Sequence, residues 1–450
     1  MEVTIEKLIY GGDGLARQDG TTVFVPYVLP QERVEADPVE RKKNFIHARL
    51  GEVLASSPER VAARCPFFRD CGGCHYQHIP YEKQLAYKTE ILRETLRRIG
   101  KIDWTQAIPI HASPEWGYRN RAQWKIRPLA RDFAARSRTE EKQARRASGS
   151  DGNAQDANLG IGYFRPNSTS LCAVDECAVL APPLLAALQG LREAILAGFL
   201  TPSLREIEAF AYTTESAGES KLLLTATFAG FPSRLEECAQ AFHKAVPGIT
   251  SLVLYDSRGD DMKLDGPGYI EYQADGTRFR VGHFSFFQVN RFLAGGLART
   301  VTENGASGGK LALDLFAGVG LFAVQLAKRF ERVIAVESNP AAVRDLELNA
   351  RGAGAIQVRS ADAEQFLARF KETPDLVVVD PPRAGLGPGL IARLAKIAPR
   401  NITYVSCEPP TLARDLAAFL KAGYALQSLE LFDLFPQTFH METVAQLEKL

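Results

Sequence analysis

The chain has 450 residues, 46% of them hydrophobic and 24% charged, with a net charge of +1. That length calls for two or three domains rather than one core, the composition is that of a soluble globular protein, and so small a charge lends little support to a nucleic-acid partner by itself. No apolar run is long enough to span a bilayer, the opening Met1-Glu2-Val3-Thr4-Ile5-Glu6-Lys7 lacks the apolar stretch of a signal peptide, and seven cysteines are too few for a disulfide scaffold. Cytoplasmic residence is the expectation, with no membrane contact and no obligate protein partner.

Residues 1–56 read as short strands between turns. Gly11-Gly12-Asp13-Gly14 and Gly20-Thr21 punctuate β-rich stretches such as Thr22-Val23-Phe24-Val25 and Glu32-Arg33-Val34-Glu35-Ala36. A small β-barrel is predicted, serving either packing or RNA binding. Residues 57–285 form a mixed α+β central domain. Within it, 81–99 is a helix with Leu85, Ile91, Leu92 and Leu96 at helical spacing, and 221–227 and 251–255 are strand-like. Near 131–158 the chain turns to Arg, Ala, Ser, Gly, Asp and Gln, which predicts a flexible surface insert.

From 286 to 450 strands and helices alternate, which implies a doubly wound, parallel sheet. The strand 311–316 runs into Ala317-Gly318-Val319-Gly320 and a helix from Leu321; the strand 332–336 ends at Glu337, with Asn339 capping a helix that has Pro340 in its first turn. The strand 375–379 ends in Asp380-Pro381-Pro382-Arg383, and 402–406 ends at Cys407-Glu408-Pro409-Pro410, where the two prolines are expected to interrupt regular structure.

Such sheets keep their chemistry at the carboxyl ends of the strands. Gly318 and Gly320 admit a ligand that a Cβ would push away, and Glu337 stands where an acid accepts hydrogen bonds from a ribose diol. The third glycine of a dinucleotide fingerprint is missing, since Ala323 follows Gly320 by three. Asp362, in Ser360-Ala361-Asp362-Ala363, reads as a helix N-cap or as a contact to an adenine. A thiol at Cys407 with an isolated carboxylate at Glu442 suggests covalent catalysis beside a nucleotide-like cofactor; spacing alone leaves a structural free cysteine and a strand carboxylate equally open.

The ordered set Phe286-Phe287-Gln288-Val289-Asn290, Asp314-Leu315-Phe316-Ala317-Gly318-Val319-Gly320, Asp380-Pro381-Pro382-Arg383, Ser406-Cys407-Glu408-Pro409-Pro410-Thr411-Leu412-Ala413-Arg414-Asp415 and Phe435-Pro436-Gln437-Thr438-Phe439-His440-Met441-Glu442 resembles the RNA uracil-5-methyltransferase family. Gly11-Gly12-Asp13-Gly14-Leu15-Ala16 and Val23-Phe24-Val25-Pro26-Tyr27-Val28-Leu29-Pro30 resemble its TRAM barrel. The resemblance implies a class I, Rossmann-like α/β methyltransferase domain behind an OB-like barrel. It implies transfer of a methyl group from S-adenosylmethionine to C5 of a uridine in structured RNA. Cys407 is then the nucleophile that adds to C6 and Glu442 the base. Gln288, Phe316, Glu337, Asp362 and Asp380 resemble the cofactor pocket, with Asp380 alternatively orienting the uracil through N3. Leu321 departs from the family, which often has Asn there.

Cys65-x5-Cys71-x2-Cys74 with distant Cys177 resembles the iron–sulfur site of part of the family. Four thiolates suit a [4Fe–4S] cluster or zinc, and spacing alone does not decide; the resemblance implies the cluster, in a structural role, with Cys177 ahead of Cys172 as fourth ligand. Cys238 reads as a small buried apolar residue. Arg119 and Arg121 resemble a segment that contacts RNA around a flipped base, and Phe286, with His283, is a candidate for the pocket wall. Members with both barrel and cluster mostly act on large ribosomal RNA, so 23S rRNA is the expected partner. The alternatives are tRNA uridine methylation and a non-catalytic RNA-binding iron–sulfur protein.

Overall fold

The computed structural model describes residues 1–129, 159–200, 203–214, 218–258, 261–303 and 308–450. The insert expected near 131–158 lies outside the described residues. Two compact units form: residues 1–64, 74–118 and 271–450 make the first, residues 65–73 and 119–270 the second. These units cut across the three consecutive segments read from the sequence.

In the first unit, β1 (Glu2–Leu8), β2 (Asp13–Gln18), β3 (Thr21–Pro26), β4 (Arg33–Arg41) and β5 (Phe45–Ala55) close into a barrel in the order β1-β2-β3-β5-β4. The two-residue periodicity explains it: Val3 and Ile5 point inward between exposed Glu2, Thr4 and Glu6, and Val23, Val25, Val34, Ala36, Ile46, Ala48 and Leu50 complete the interior.

The same unit contains an eight-stranded sheet, in the order Ile356–Ser360, Phe330–Glu337, Gly309–Leu315, Leu376–Val379, Asn401–Ser406, Glu442–Lys449, Tyr424–Phe432, Ile110–His111. The first five strands are parallel, and the all-buried run Leu376–Val379 shows why: strands covered on both faces read as continuous apolar stretches rather than alternation. Glu442–Lys449 runs antiparallel between Asn401–Ser406 and Tyr424–Phe432, so the sheet is mixed rather than wholly parallel. Regular structure is not interrupted after Cys407. The helix Pro409–Lys421 starts on the two prolines, whose missing N–H groups are unpaired at a helix start in any case.

The helix Tyr81–Thr95, continued by a wider turn Leu96–Gly100, buries Ile91, Leu92 and Leu96 of the apolar residues at helical spacing, with Leu85 half-buried and Gln84, Lys88 and Thr95 also turned inward. Gln84 and Lys88 face the core because buried partners on distant segments meet them. Lys88 Nζ donates to Asp433 Oδ1 at 2.6 Å and to the Phe435 carbonyl at 3.2 Å, with both ion-pair side chains fully enclosed. Gln84 Nε2 donates to the carbonyls of Tyr76 and Ile79 and to Gln437 Oε1, and Gln84 Oε1 accepts the Gln437 N–H at 2.9 Å.

The second unit is a seven-stranded sheet, in the order Met262–Asp265, Ile249–Asp256, Ser220–Phe228, Leu204–Thr213, Arg121–Pro128, Leu159–Phe164, Leu171–Ala173. Helices Pro182–Leu196 and Leu235–Ala245 contribute Leu184, Leu188, Leu191 and Phe242 to its core. Cys238 lies in that core, where burial pushes its thiol up to about 11, consistent with a small apolar role. Among the described residues, no helix is long and apolar enough to cross a membrane.

Removing one partner of an enclosed ion pair leaves the other charge without compensation. Lys88→Met is expected to destabilise the protein by about 3–5 kcal/mol in urea unfolding, and Lys88→Met with Asp433→Leu to recover most of that loss. A single-variant loss below about 1 kcal/mol would show that the pair contributes little.

Candidate functional site

Four chain segments bring the chemistry to the carboxyl edge of the first unit's sheet. Gly309–Leu315 delivers the loop 316–320, Phe330–Glu337 delivers Glu337, Leu376–Val379 delivers Asp380, and Asn401–Ser406 delivers Cys407. In the loop, Phe316 takes the left-handed conformation at φ 68° and Gly318 does so at 54°. A Cβ on Gly318 would meet nothing within 4 Å, so this glycine faces open space where a ligand can approach. Gly320 differs: its φ is 94°, a conformation that L side chains rarely adopt, and a Cβ there would also fall 2.7 Å from Leu346 Cδ1.

Glu337 holds this loop as well as facing it. Its Oε2 accepts the Gly318 N–H at 2.8 Å, and its Oε1 accepts the N–H groups of Ser338 and Asn339 at 2.7 Å. Asp362 caps the helix Ala363–Arg369 by accepting from the amides of Glu364 and Gln365, and its side chain remains exposed. Asn339 caps Pro340–Ala350 in the way its sequence position suggests. Leu321 is buried at the helix start.

Cys407 and Glu442 become neighbours through register. The antiparallel pairing sets Ser406 against Thr443, so the next residues, Cys407 and Glu442, lie side by side at the strand ends. Asp380 follows the adjacent parallel strand, where Val379 pairs with Tyr404. Burial pushes the Cys407 thiol up to about 12; Glu442 and Asp380 add to the rise and the Arg383 guanidinium opposes it. Burial likewise raises Asp380 to about 7 and, with Asp380 beside it, holds Glu442 well above the usual carboxylate range. Asp314, fully buried one strand over, is raised strongly by burial, with Asp380 and Glu337 adding to it and the Ala323 amide opposing. The site is therefore a set of acids that resist ionisation together around one thiol.

Gln288 is buried, Phe286 is 60% exposed, and Phe287 packs on Tyr272 with ring centroids 4.5 Å apart. Asn290 and Glu408 received no role from sequence reasoning. Asn290, fully buried, donates to Ser113 Oγ at 2.9 Å and to the Leu434 carbonyl at 3.2 Å, tying its own segment to the loop that precedes Glu442. Glu408 donates its N–H to Ser406 Oγ and accepts on Oε2 from the Tyr10 hydroxyl at 2.9 Å. Asn290 lay within a quoted motif, but only its buried partners show its use. Asp415, beyond pairing with Arg414, also accepts from the Tyr404 hydroxyl and the Leu386 amide.

Arg119 and Arg121 belong to the second unit. Arg119 Nε donates to the Arg121 carbonyl, while Arg121 pairs with Glu208 and lies over the Phe210 ring. Cys65, Cys71, Cys172 and Cys177 are also in that unit, whereas Cys74 falls in the first. Among the described residues no group of three or more His, Cys, Asp or Glu side chains converges to hold a metal ion. Cys172, set aside by the sequence reading, shares a side-chain hydrogen bond with Cys71 that draws its thiol down. Burial raises the Cys65 and Cys177 thiols, and the amide of Phe67 at Cys65 and those of Val179 and Leu180 at Cys177 oppose the rise, while the Gly73 amide reaches Cys71 Sγ at 3.4 Å.

Residues 273–450 match the family described as tRNA (Uracil-5-)-methyltransferase, and residues 1–50 match the TRAM domain. The chain is 34% identical to an uncharacterized RNA methyltransferase of Aquifex aeolicus, over 100% of this chain and 98% of that one. It is 32% identical to the 23S rRNA (uracil(1939)-C(5))-methyltransferase RlmD of Klebsiella pneumoniae, over 99% and 95%. The crystal structure of the Pyrococcus abyssi tRNA (uracil-54, C5)-methyltransferase in complex with S-adenosyl-L-homocysteine superposes with a TM-score of 0.72 at 27% identity, covering 99% of this chain and 100% of that one. With barrel, sheet and motif order all accounted for, the chain belongs to the RNA uracil-5-methyltransferase family.

Proposed function

We propose that the protein methylates C5 of a uridine in 23S rRNA, with S-adenosylmethionine as donor and Cys407 as covalent nucleophile. The register that seats Cys407 beside Glu442, with Asp380 at the end of the next strand, carries this reading. Loop 316–320, Gln288, Glu337, Asp362 and Asp380 form the donor's cradle, Gly318 facing open space within it. When bound, the donor supplies an electrophilic methyl group.

C5 of uracil is a poor nucleophile until C6 is attacked. The Cys407 sulfur bonds to C6, its proton passing to the carboxyl pair and on to solvent, and the ring's electrons move to C5, which takes the methyl group. Glu442 then removes the C5 proton and the C6–S bond breaks, returning Cys407. A carboxyl raised by burial, as both Glu442 and Asp380 are, is a stronger base once ionised than an ordinary carboxylate, which suits this exchange. The target base has to leave its stack to reach the thiol; exposed Phe286, with Arg119 and Arg121, is proposed for the RNA contact. Likeness to the ribosomal RNA enzyme at 32% over nearly the whole chain supports 23S rRNA over tRNA.

Cys65, Cys71, Cys74 and Cys177 are proposed as ligands of a structural [4Fe–4S] cluster, on the strength of the amide donors around three of the sulfurs. Anaerobically purified protein is expected to contain iron and acid-labile sulfide in equal amounts, lost together in Cys71→Ser. Zinc without sulfide would replace the cluster with a zinc site.

Incubation with methyl-tritiated S-adenosylmethionine and unmodified 23S rRNA or tRNA is expected to label ribosomal RNA as 5-methyluridine. Label in tRNA alone would transfer the assignment to that substrate. Cys407→Ala should lose all transfer while binding the donor as the parent does, and turnover by this variant would defeat the covalent route.

Glu442→Gln should accumulate a covalent, already methylated RNA adduct. It should also alter the pH dependence of stability. Carboxyls raised by folding stabilise fully below their unfolded pKa and lose that contribution as pH rises through the folded one, here about 7 for Asp380. The variant's melting temperature is therefore expected to gain a few degrees on the parent as pH rises from about 5 through about 7. A constant difference across that range would mean the two carboxyls do not share a buried environment.

A further inference from the structure

The nucleophile's segment is held from outside its own sheet. Tyr10 lies in the turn between β1 and β2 of the barrel, within the same compact unit as Cys407. Its hydroxyl donates to Glu408 Oε2 at 2.9 Å and stands 3.4 Å from the Cys407 carbonyl oxygen. Its ring meets Phe439 edge-on, centroids 5.5 Å apart at 87°. Phe439 in turn packs on His75 and His440, and lies three residues before Glu442.

The turn is built to come this close. Gly11 and Gly12 have φ values of 107° and 93°, and a Cβ on Gly12 would fall 3.0 Å from Phe439 Cδ1. The Ile9 N–H donates to the Asp13 carbonyl and the Gly12 N–H to that of Ile9, which fixes the turn's shape. One barrel turn thus reaches the Cys407 carbonyl and the Glu408 carboxylate through a hydroxyl, and Phe439, three residues before Glu442, through an aromatic edge.

Cys407 sits between a strand and a helix, in a short turn whose internal polar tie is Ser406 Oγ to the Glu408 amide at 3.2 Å. Glu408 is also one of the groups that raise the thiol. A Glu408 carboxylate free to swing would change both the backbone direction and the charge beside the sulfur. Tyr10 holds that carboxylate in one place. Burial keeps its hydroxyl protonated and therefore a donor.

We propose that Tyr10 is a positioning residue for the methyl-transfer reaction: through Glu408 and the Cys407 carbonyl it sets the nucleophile for attack on C6, so that the barrel contributes to the chemical step as well as to RNA binding. The proposal rests on Cys407 as nucleophile. Misplacement of a reacting atom by about 1 Å can cost about 100-fold in rate.

The test uses the full chain with 23S rRNA. Tyr10→Phe retains the ring against Phe439 and removes only the hydroxyl. Its kcat, and its single-turnover rate of RNA adduct formation, are expected to fall by about 10- to 100-fold. KM for RNA, donor affinity and melting temperature should stay near those of the parent. Glu408→Ala should lose a similar factor, and the double variant no more than the larger single loss, because both act through one contact. A kcat for Tyr10→Phe within about twofold of the parent, a loss carried wholly by the RNA KM, or additive losses would overturn the proposal. Cys407→Ala runs alongside: inactivity there with normal Tyr10→Phe turnover refutes the Tyr10 role alone, whereas activity there refutes the covalent reading and this role with it.

Discussion

The close packing of acids and a thiol at the partly buried carboxyl edge of the first unit's sheet is the constraint on which the site depends. Solvated separately, Cys407 would ionise far above Asp380, Asp314 and Glu442, whose carboxyls would all be charged well below neutral pH. Packed together, all four are pushed upward, first by burial, with Asp380 adding to the rise of the other three. The Cys407 thiol therefore stays protonated at neutral pH, and burial raises Asp380 to about 7. Arg383 is the cationic exception, exposed at the rim and pulling the thiol down.

Such a site needs a rigid surround, since a loosened carboxylate would find water and lose its shift. The segment 433–442 receives that rigidity from the helix Tyr81–Thr95. Lys88 fixes Asp433 and the Phe435 carbonyl, and Gln84 exchanges hydrogen bonds with Gln437, whose carbonyl also accepts the amides of His75 and Tyr76. Gln437 is held in the left-handed region at φ 68°, a conformation that a non-glycine residue keeps only where its surroundings over-determine it. Enclosing an ion pair and two amides is costly unless every partner is in place. The arrangement gives the Glu442 loop one conformation instead of several.

The second unit follows a different logic. Its sheet buries a conventional apolar core around Trp124, whose indole N–H donates to the Tyr163 hydroxyl at 3.1 Å. Tyr163 in turn stands 4.0 Å from Cys177 Sγ.

Periodicity and punctuation in the sequence determined the barrel, the alternation of strands and helices, and the delivery of Phe316, Glu337, Asp380 and Cys407 to strand ends. Strand alternation, apolar runs and glycine turns are local properties, legible wherever they occur. The helix starting on Pro409 and Pro410 was open to the same reading, since proline favours a first turn as much as it interrupts a later one. The tertiary structure alone decided which strand ends meet. Glu442 stands beside Cys407 because an antiparallel strand enters a parallel sheet in one particular register, and Gln84 and Lys88 turn inward because partners some 350 residues away receive them. The upward shifts of the thiol and its acids were likewise beyond the sequence, because desolvation depends on everything packed around a group and not on its neighbours in the chain.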